Sequence, residues 1–326
     1  MRLIGLAVVL SLSFVLAPGG ASDAQQAGKV WRIGILSGAS PTSPGPLAAL
    51  LQGLREAGLV EGRNAVFEIR YSEGRTEQFP AFASELASPV DVLVAISTPA
   101  AAAAKQATST IPVVIAAASD PVGARLVASL AHPGGNITGL SLLAPELSAK
   151  RLDLLTQAVS PLSRVAVLWN LDNEGMALRF RETQAASRVL GVSIQSVGVR
   201  TPADFDGAFA TITREHPHGL LVMADTVTIG QRKRTADFAA SNRIPAIYEA
   251  RDFVDVGGLM SYGIDLVEHF RRAASFVDKV VIGAKPPDLP IEQPTKFELV
   301  INLKTAKALG LTIPQSILLR ADEIIQ

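Results

Sequence analysis

Two periods of hydrophobicity alternate along this chain, and their alternation predicts the fold. Short runs are apolar at every position, such as Val92–Ile96 and Val113–Ala118. They have the length of strands covered on both faces. Between such runs, apolar residues recur three and four apart, the period of a helix with one buried side. Lys29 to Ser37 opens with a buried strand. Leu47, Leu50, Leu51, Leu54 and Leu59 then recur near helical spacing, with Gly58 placed to stop the helix. Asn64 to Tyr71 alternates strictly, as a strand with two unlike faces does. Glu77 to Ala87 predicts a helix with Phe79, Phe82 and Leu86 inward. Val92–Ile96 ends in Ser97, Thr98 and Pro99 and feeds an alanine-rich helix. Val113–Ala118 ends in Ser119, Asp120 and Pro121, and a second helix is expected there. Asn136 to Ser141 closes this half as a short strand.

The pattern then restarts. Helices are expected over Leu147–Val159, Met176–Leu190, Pro202–Thr213, Ile229–Ser241 and Leu266–Ile282. Strands are expected over Arg164–Trp169, Val192–Val199, Gly219–Met223, Ile244–Tyr248, Gly257–Tyr262 and Phe297–Ile301, with a short last helix over Thr305–Leu309. Apolar strands separated by helices imply parallel sheets with both faces covered, so the fold class is α/β with two Rossmann-like lobes.

The chain has 326 residues, which suits two lobes. Hydrophobic residues make up 48% and charged residues 18%, enough for sizeable cores. Lys+Arg and Asp+Glu are 30 each, so no excess charge draws the protein to nucleic acid. With no cysteine, disulfides and thiol chemistry are excluded. Arg2, the apolar run Leu3 to Leu16 and small residues up to Ala24 predict a secretory signal peptide over residues 1–24. The run is shorter than the ~20 residues of a spanning helix.

The stretch from Val90 to Ala128 carries the first candidate site. Two strands end side by side, and open α/β sheets bind ligands outside the carboxyl ends of their strands. Free N–H groups at helix starts favour a small anion there. Ser97 and Thr98 can cap their helix and also hold a carboxylate. Asp120 is a cap or an acceptor for a ligand amine or hydroxyl. Asp225, just past the strand Gly219–Met223, is a cap or the partner of a ligand ammonium. Trp169, at a strand end, is core or a stacking surface for a flat ligand, and Tyr248 is similarly placed. The four histidines show no metal spacing. No phosphate loop, dinucleotide fingerprint, zinc motif or nucleophile elbow is present, so neither a catalytic residue, a metal nor a cofactor is expected.

Four long stretches in order, Gly53–Asn64, Ser97–Val114, Ser119–Ser141 and Gln293–Pro314, give the chain a resemblance to a known family. It resembles the periplasmic substrate-binding proteins of ABC-type importers, in the branch that binds tryptophan and other aromatic amino acids. The resemblance implies a type I periplasmic-binding architecture with three crossings between lobes. It implies a first lobe of residues 29–139 plus 266–290 and a second of 140–265 plus 291–326. The implied crossings lie at Thr138–Leu140, Gly263–Asp265 and Pro287–Glu292. Ligand contacts would fall at Ser37, Ser97, Thr98, Ser119 and Asp120 in the first lobe, and at Asn170, Asn173, Asp225, Thr226 and Tyr248 in the second. The expected partners are a small molecule, such as an amino acid or related metabolite, and a membrane permease. The expected state is a monomer in the periplasm that captures its ligand by hinge closure. A ligand-sensing subunit for a membrane receptor is the alternative role.

Overall fold

The computed structural model describes residues 29–42, 46–142 and 146–326. The expected signal peptide lies outside them. The first half runs β1 (Trp31–Ser37), α1 (Leu47–Glu56), β2 (Ala65–Tyr71), α2 (Phe79–Leu86), β3 (Val92–Ala95), α3 (Thr98–Ala107), β4 (Val113–Ala118) and β5 (Ile137–Ser141). Its five strands form one parallel sheet in the order β2-β1-β3-β4-β5. Successive residues face opposite sides. Val92 and Val94 join one apolar core, and Leu93 and Ala95 join the other. Both faces are therefore buried, which is why these strands read as unbroken apolar runs.

One expected element is absent. After Asp120 and Pro121 the chain forms turns, with no helix before β5. The turn closes on itself: Leu126 N donates to Pro121 O (2.8 Å) and Ala124 N to Asp120 O (3.0 Å). Gly123 inside the segment lowers helix propensity, and Arg125 adopts a left-handed φ of 55°, which a helix cannot contain.

The second half continues with α4 (Glu146–Ala158), β6 (Arg164–Asn170), α5 (Glu174–Leu190), β7 (Ser193–Val199), α6 (Phe205–Glu215), β8 (Gly219–Val222), α7 (Thr226–Gly230), α8 (Arg232–Ser241), β9 (Ala246–Tyr248) and β10 (Met260–Ile264). Then follow α9 (Leu266–Val281), β11 (Phe297–Asn302), α10 (Leu303–Ala308), α11 (Gln315–Leu318) and β12 (Glu323–Ile325). The seven strands of this half order as β12-β11-β10-β9-β8-β6-β7. All neighbours are parallel except β10 and β11. The single helix expected over Ile229–Ser241 is two. Asp225 starts the first by accepting from Val227 N and Thr228 N, and Gln231 separates it from the second. α11 and β12 were not expected from the sequence, because each is too short to show a period.

The chain passes between the two sheets three times: after β5, between β10 and α9, and between α9 and β11. α9 packs Phe270, Ala273 and Val277 into the first sheet's core although it follows a strand of the second. The third passage runs beside β5: Ser141 N donates to Glu292 O (2.9 Å) and Glu292 N to Gly139 O (3.0 Å). Within β5, Gly139 is needed for the pairing with β4: its φ is 126° and a hypothetical Cβ would stand only 2.1 Å from Ile115 O.

Candidate functional site

The carboxyl ends of both sheets face a cavity of about 420 Å³, a volume that suits a small organic ligand. Its first-lobe wall carries Ser37, Ser97 and Ser119 at the ends of β1, β3 and β4. Leu47, Ile96, Leu142, Ile264, Leu266 and Phe270 add an apolar side. The opposite wall carries Asn173, Asp225 and Thr226.

Six of the residues picked from sequence therefore line one cavity: Ser37, Ser97, Ser119, Asn173, Asp225 and Thr226. Five stand behind its wall. Thr98 accepts from Ser119 N through its hydroxyl (3.0 Å), which ties the end of β3 to the end of β4. Asp120 is buried and accepts from Gly123 N (2.8 Å), so it caps the turn that replaces the expected helix. Asn170 is buried and donates to Asp225 (2.6 Å). Trp169 stacks on Phe180 at 4.9 Å and donates to Ser196 Oγ (2.9 Å). Tyr248 is fully buried and stacks on Phe253 at 4.7 Å, inside the second lobe's core.

Asp225 sits at the helix start with its oxygens occupied. Oδ1 accepts from two backbone N–H groups of α7, and Oδ2 from Asn170. Burial nevertheless pushes its carboxyl above the usual range, against the pull of these donors. Ser97 is likewise engaged, because its hydroxyl accepts from Ala100 N (3.2 Å).

The strongest charges of the cavity escaped the sequence reading. Arg151 of α4 and Arg179 of α5 are 3% and 6% exposed, and both flank Glu249, which is 5% exposed and follows β9. Arg151 Nη1 donates to Glu249 Oε1 (2.8 Å) and Arg179 Nη1 to Glu249 Oε2 (2.6 Å). The backbone fixes the set: Arg151 Nε donates to Tyr262 O (2.6 Å), Arg179 Nη2 to Ala224 O (3.2 Å) and Ala224 N to Glu249 Oε2 (3.0 Å). Burial, joined by the second guanidinium, lowers the Arg151 pKa from its ordinary value, and Glu249 opposes the fall. Among the described residues no group of His, Asp and Glu could hold a metal ion.

Residues 46–325 match the family described as ABC transporter substrate binding protein. The chain belongs to this family. The tyrosine-binding protein of Clostridioides difficile (strain R20291) is 27% identical over 263 residues, covering 80% of this chain and 75% of that one. Two solved structures share 28% identity and cover 91% of this chain and all of the other. One is a conserved domain protein from Vibrio cholerae, with a TM-score of 0.85. The other is an ABC domain from Streptococcus pneumonia in complex with L-Trp, with a TM-score of 0.83. The fold is thus that of type I periplasmic binding proteins. Members of the family are binders rather than enzymes and are typically extracytoplasmic.

In this substrate-binding protein the two lobes touch at the rim of the cavity, and glycines mark the contacts. A Cβ on Gly38 of the first lobe would stand 2.4 Å from Thr226 Cβ of the second. A Cβ on Gly175, in the first turn of α5, would stand 2.6 Å from Ser119 Cβ. Gly74, at φ 82°, would meet Pro202 at 3.3 Å. Real Cβ atoms do not approach to 2.4–2.6 Å, so only glycine at 38 and 175 permits this approach of the lobes.

Proposed function

We propose that this protein is the solute-binding component of an ABC importer and captures a small organic molecule between its lobes by closure. One observation carries the reading: a cavity walled by the strand ends of both lobes, with the lobes in contact at glycines 38 and 175. A ligand that touches both walls favours the closed state by its greater affinity for it. A membrane permease would then read the closed shape. Polar groups on both walls beside an apolar side of Leu47, Ile96, Leu142, Leu266 and Phe270 suit an amphipathic solute such as an amino acid or a related metabolite. Two relatives named for tyrosine or solved with L-Trp agree with that size and character. Among the described residues, Phe270 is the one aromatic side chain that lines the cavity.

The proposed contacts are Ser37, Ser97, Ser119, Asn173, Asp225 and Thr226, with Thr98, Asp120 and Asn170 fixing them from behind. The periplasm is the proposed compartment, and residues 29–139 with 266–290 and residues 140–265 with 291–326 the proposed lobes. The test is to unfold protein purified without dialysis and to identify the released small molecules by mass spectrometry. A single compound released near one equivalent, which rebinds to refolded protein, is the expected result. Refolded protein that binds neither the released compounds nor any metabolite offered would refute capture.

A further inference from the structure

The cavity's second-lobe wall contains a charge set that is incomplete without a ligand. Glu249 shares its two oxygens between two guanidiniums, so one positive charge of the buried set has no counter-ion within it. The other carboxylates on this wall, Asp225 and Asp252, make no ion pair with either arginine, and the oxygens of Asp225 are spent on α7 and Asn170. Donors remain open. Arg179 Nε is buried with no hydrogen-bond partner. Arg151 Nη2 has none among the described residues, its Nε and Nη1 being committed to Tyr262 O and Glu249. A buried guanidinium with unfilled donors is costly unless an acceptor of opposite charge completes it. Beside the set, the Oδ1 of Asn173 is also buried without a partner and lines the same cavity, so an acceptor waits for a donor on the ligand.

Resting on the reading of this cavity as a ligand site, we propose that the ligand is a carboxylic acid whose carboxylate binds the Arg151–Glu249–Arg179 set of the second lobe, while an adjacent N–H or O–H of the ligand donates to Asn173. This reverses the placement expected from the sequence, in which the anion sits at the Ser97 helix start. That start already has its capping hydroxyl engaged with Ala100 N. The ligand's apolar body then lies toward Ile96, Leu142, Leu266 and Phe270. Glu249 is a positioning residue here: it holds both cavity-lining guanidiniums on one carboxylate. A guanidinium edge matches a carboxylate better than an ammonium does.

The experiment compares acids with their primary amides on wild-type protein by calorimetry, and repeats the comparison on variants. The probes are L-tryptophan, L-tyrosine, 3-phenylpropanoate and 4-methylpentanoate, each beside its amide. At least one acid is expected to bind, with its amide weaker by about 100-fold. Arg179→Met is expected to lose the acid by a similar factor and Arg179→Lys to keep part of it. Melting curves establish that each variant is folded, and the acid–amide pair decides the matter if Arg179→Met is not. An amide that binds as well as its acid, or a folded Arg179→Met that binds the acid like wild type, overturns the proposal. If none of the acids binds but a non-acid metabolite does, the carboxylate assignment falls and ligand capture stands. If no compound of any class binds, both fall.

Discussion

Gly175 of the second lobe lies against Ser119 of the first so closely that a methyl group there would stand 2.6 Å from the serine Cβ. The contact joins the start of α5 to the end of β4, on opposite sides of the cleft. Alanine is favoured over glycine within a helix by up to about 1 kcal/mol. Gly175→Ala is therefore expected to leave thermal stability unchanged or raised while lowering ligand affinity by about 10-fold, since the closed state becomes less populated. Paired melting and calorimetry check this. An unchanged affinity would mean that closure does not bring α5 to Ser119.

The same logic gives a compensation at the other rim. Gly38→Ala would place a methyl group 2.4 Å from Thr226 Cβ, and all three nearest atoms belong to that threonine. Gly38→Ala should weaken binding, and the same change should cost less in a Thr226→Gly background. A measured double-mutant cycle should show coupling of about 1 kcal/mol or more between the two positions. Additive effects would contradict the contact.

Glu249 holds two buried guanidiniums. Glu249→Gln leaves both without their charge partner, and breaking a buried pair costs about 3–5 kcal/mol. Denaturant unfolding should show a loss of that order. A loss near zero would mean that water or another group already neutralises the arginines.

His269 provides the pH dependence. It is buried on α9 with Nε2 unpartnered, and burial depresses its pKa to about 4, helped by Arg272 and opposed by the Ala116 carbonyl and Asp265. The unfolded chain binds this proton near the ordinary value of about 6.5. Stability from the neutral ring is thus complete above pH 6.5 and is lost as pH falls toward 4. The loss is on the order of 3 kcal/mol. Urea melts at pH 7 and pH 4 should show His269→Gln losing less stability over this window than wild type. Equal losses would place the titrating group elsewhere.

Much of the framework was legible in the sequence because strands buried on both faces leave unbroken apolar runs, as Val113–Ala118 does. The turn after Pro121 was misread, since Gly123 and the left-handed Arg125 outweigh the apolar spacing of Leu126 and Val127. The arginine set was missed for a different reason. In α5 the buried stripe is Gly175, Arg179, Thr183 and Ser187, small and polar residues four apart. A search for apolar periodicity sees only the other faces of that helix. The stripe of glycine, arginine, threonine and serine at helical spacing was the available signal of a buried polar face. Trp169 and Tyr248 were chosen for their chemistry, but each has a stacking partner within its own lobe.

The central claim is that the cavity between glycines 38 and 175 captures a small molecule by closure. Thermal melting of refolded, ligand-free protein against the amino acids and their deaminated acids tests it most directly. At about 100 times its dissociation constant, a true ligand adds about 2.7 kcal/mol to the folded state, a rise of about 4 °C in Tm. The expected result is such a rise with one chemical group of carboxylates and none with the rest. A flat profile across the whole panel, with protein shown to be folded and empty, would contradict it.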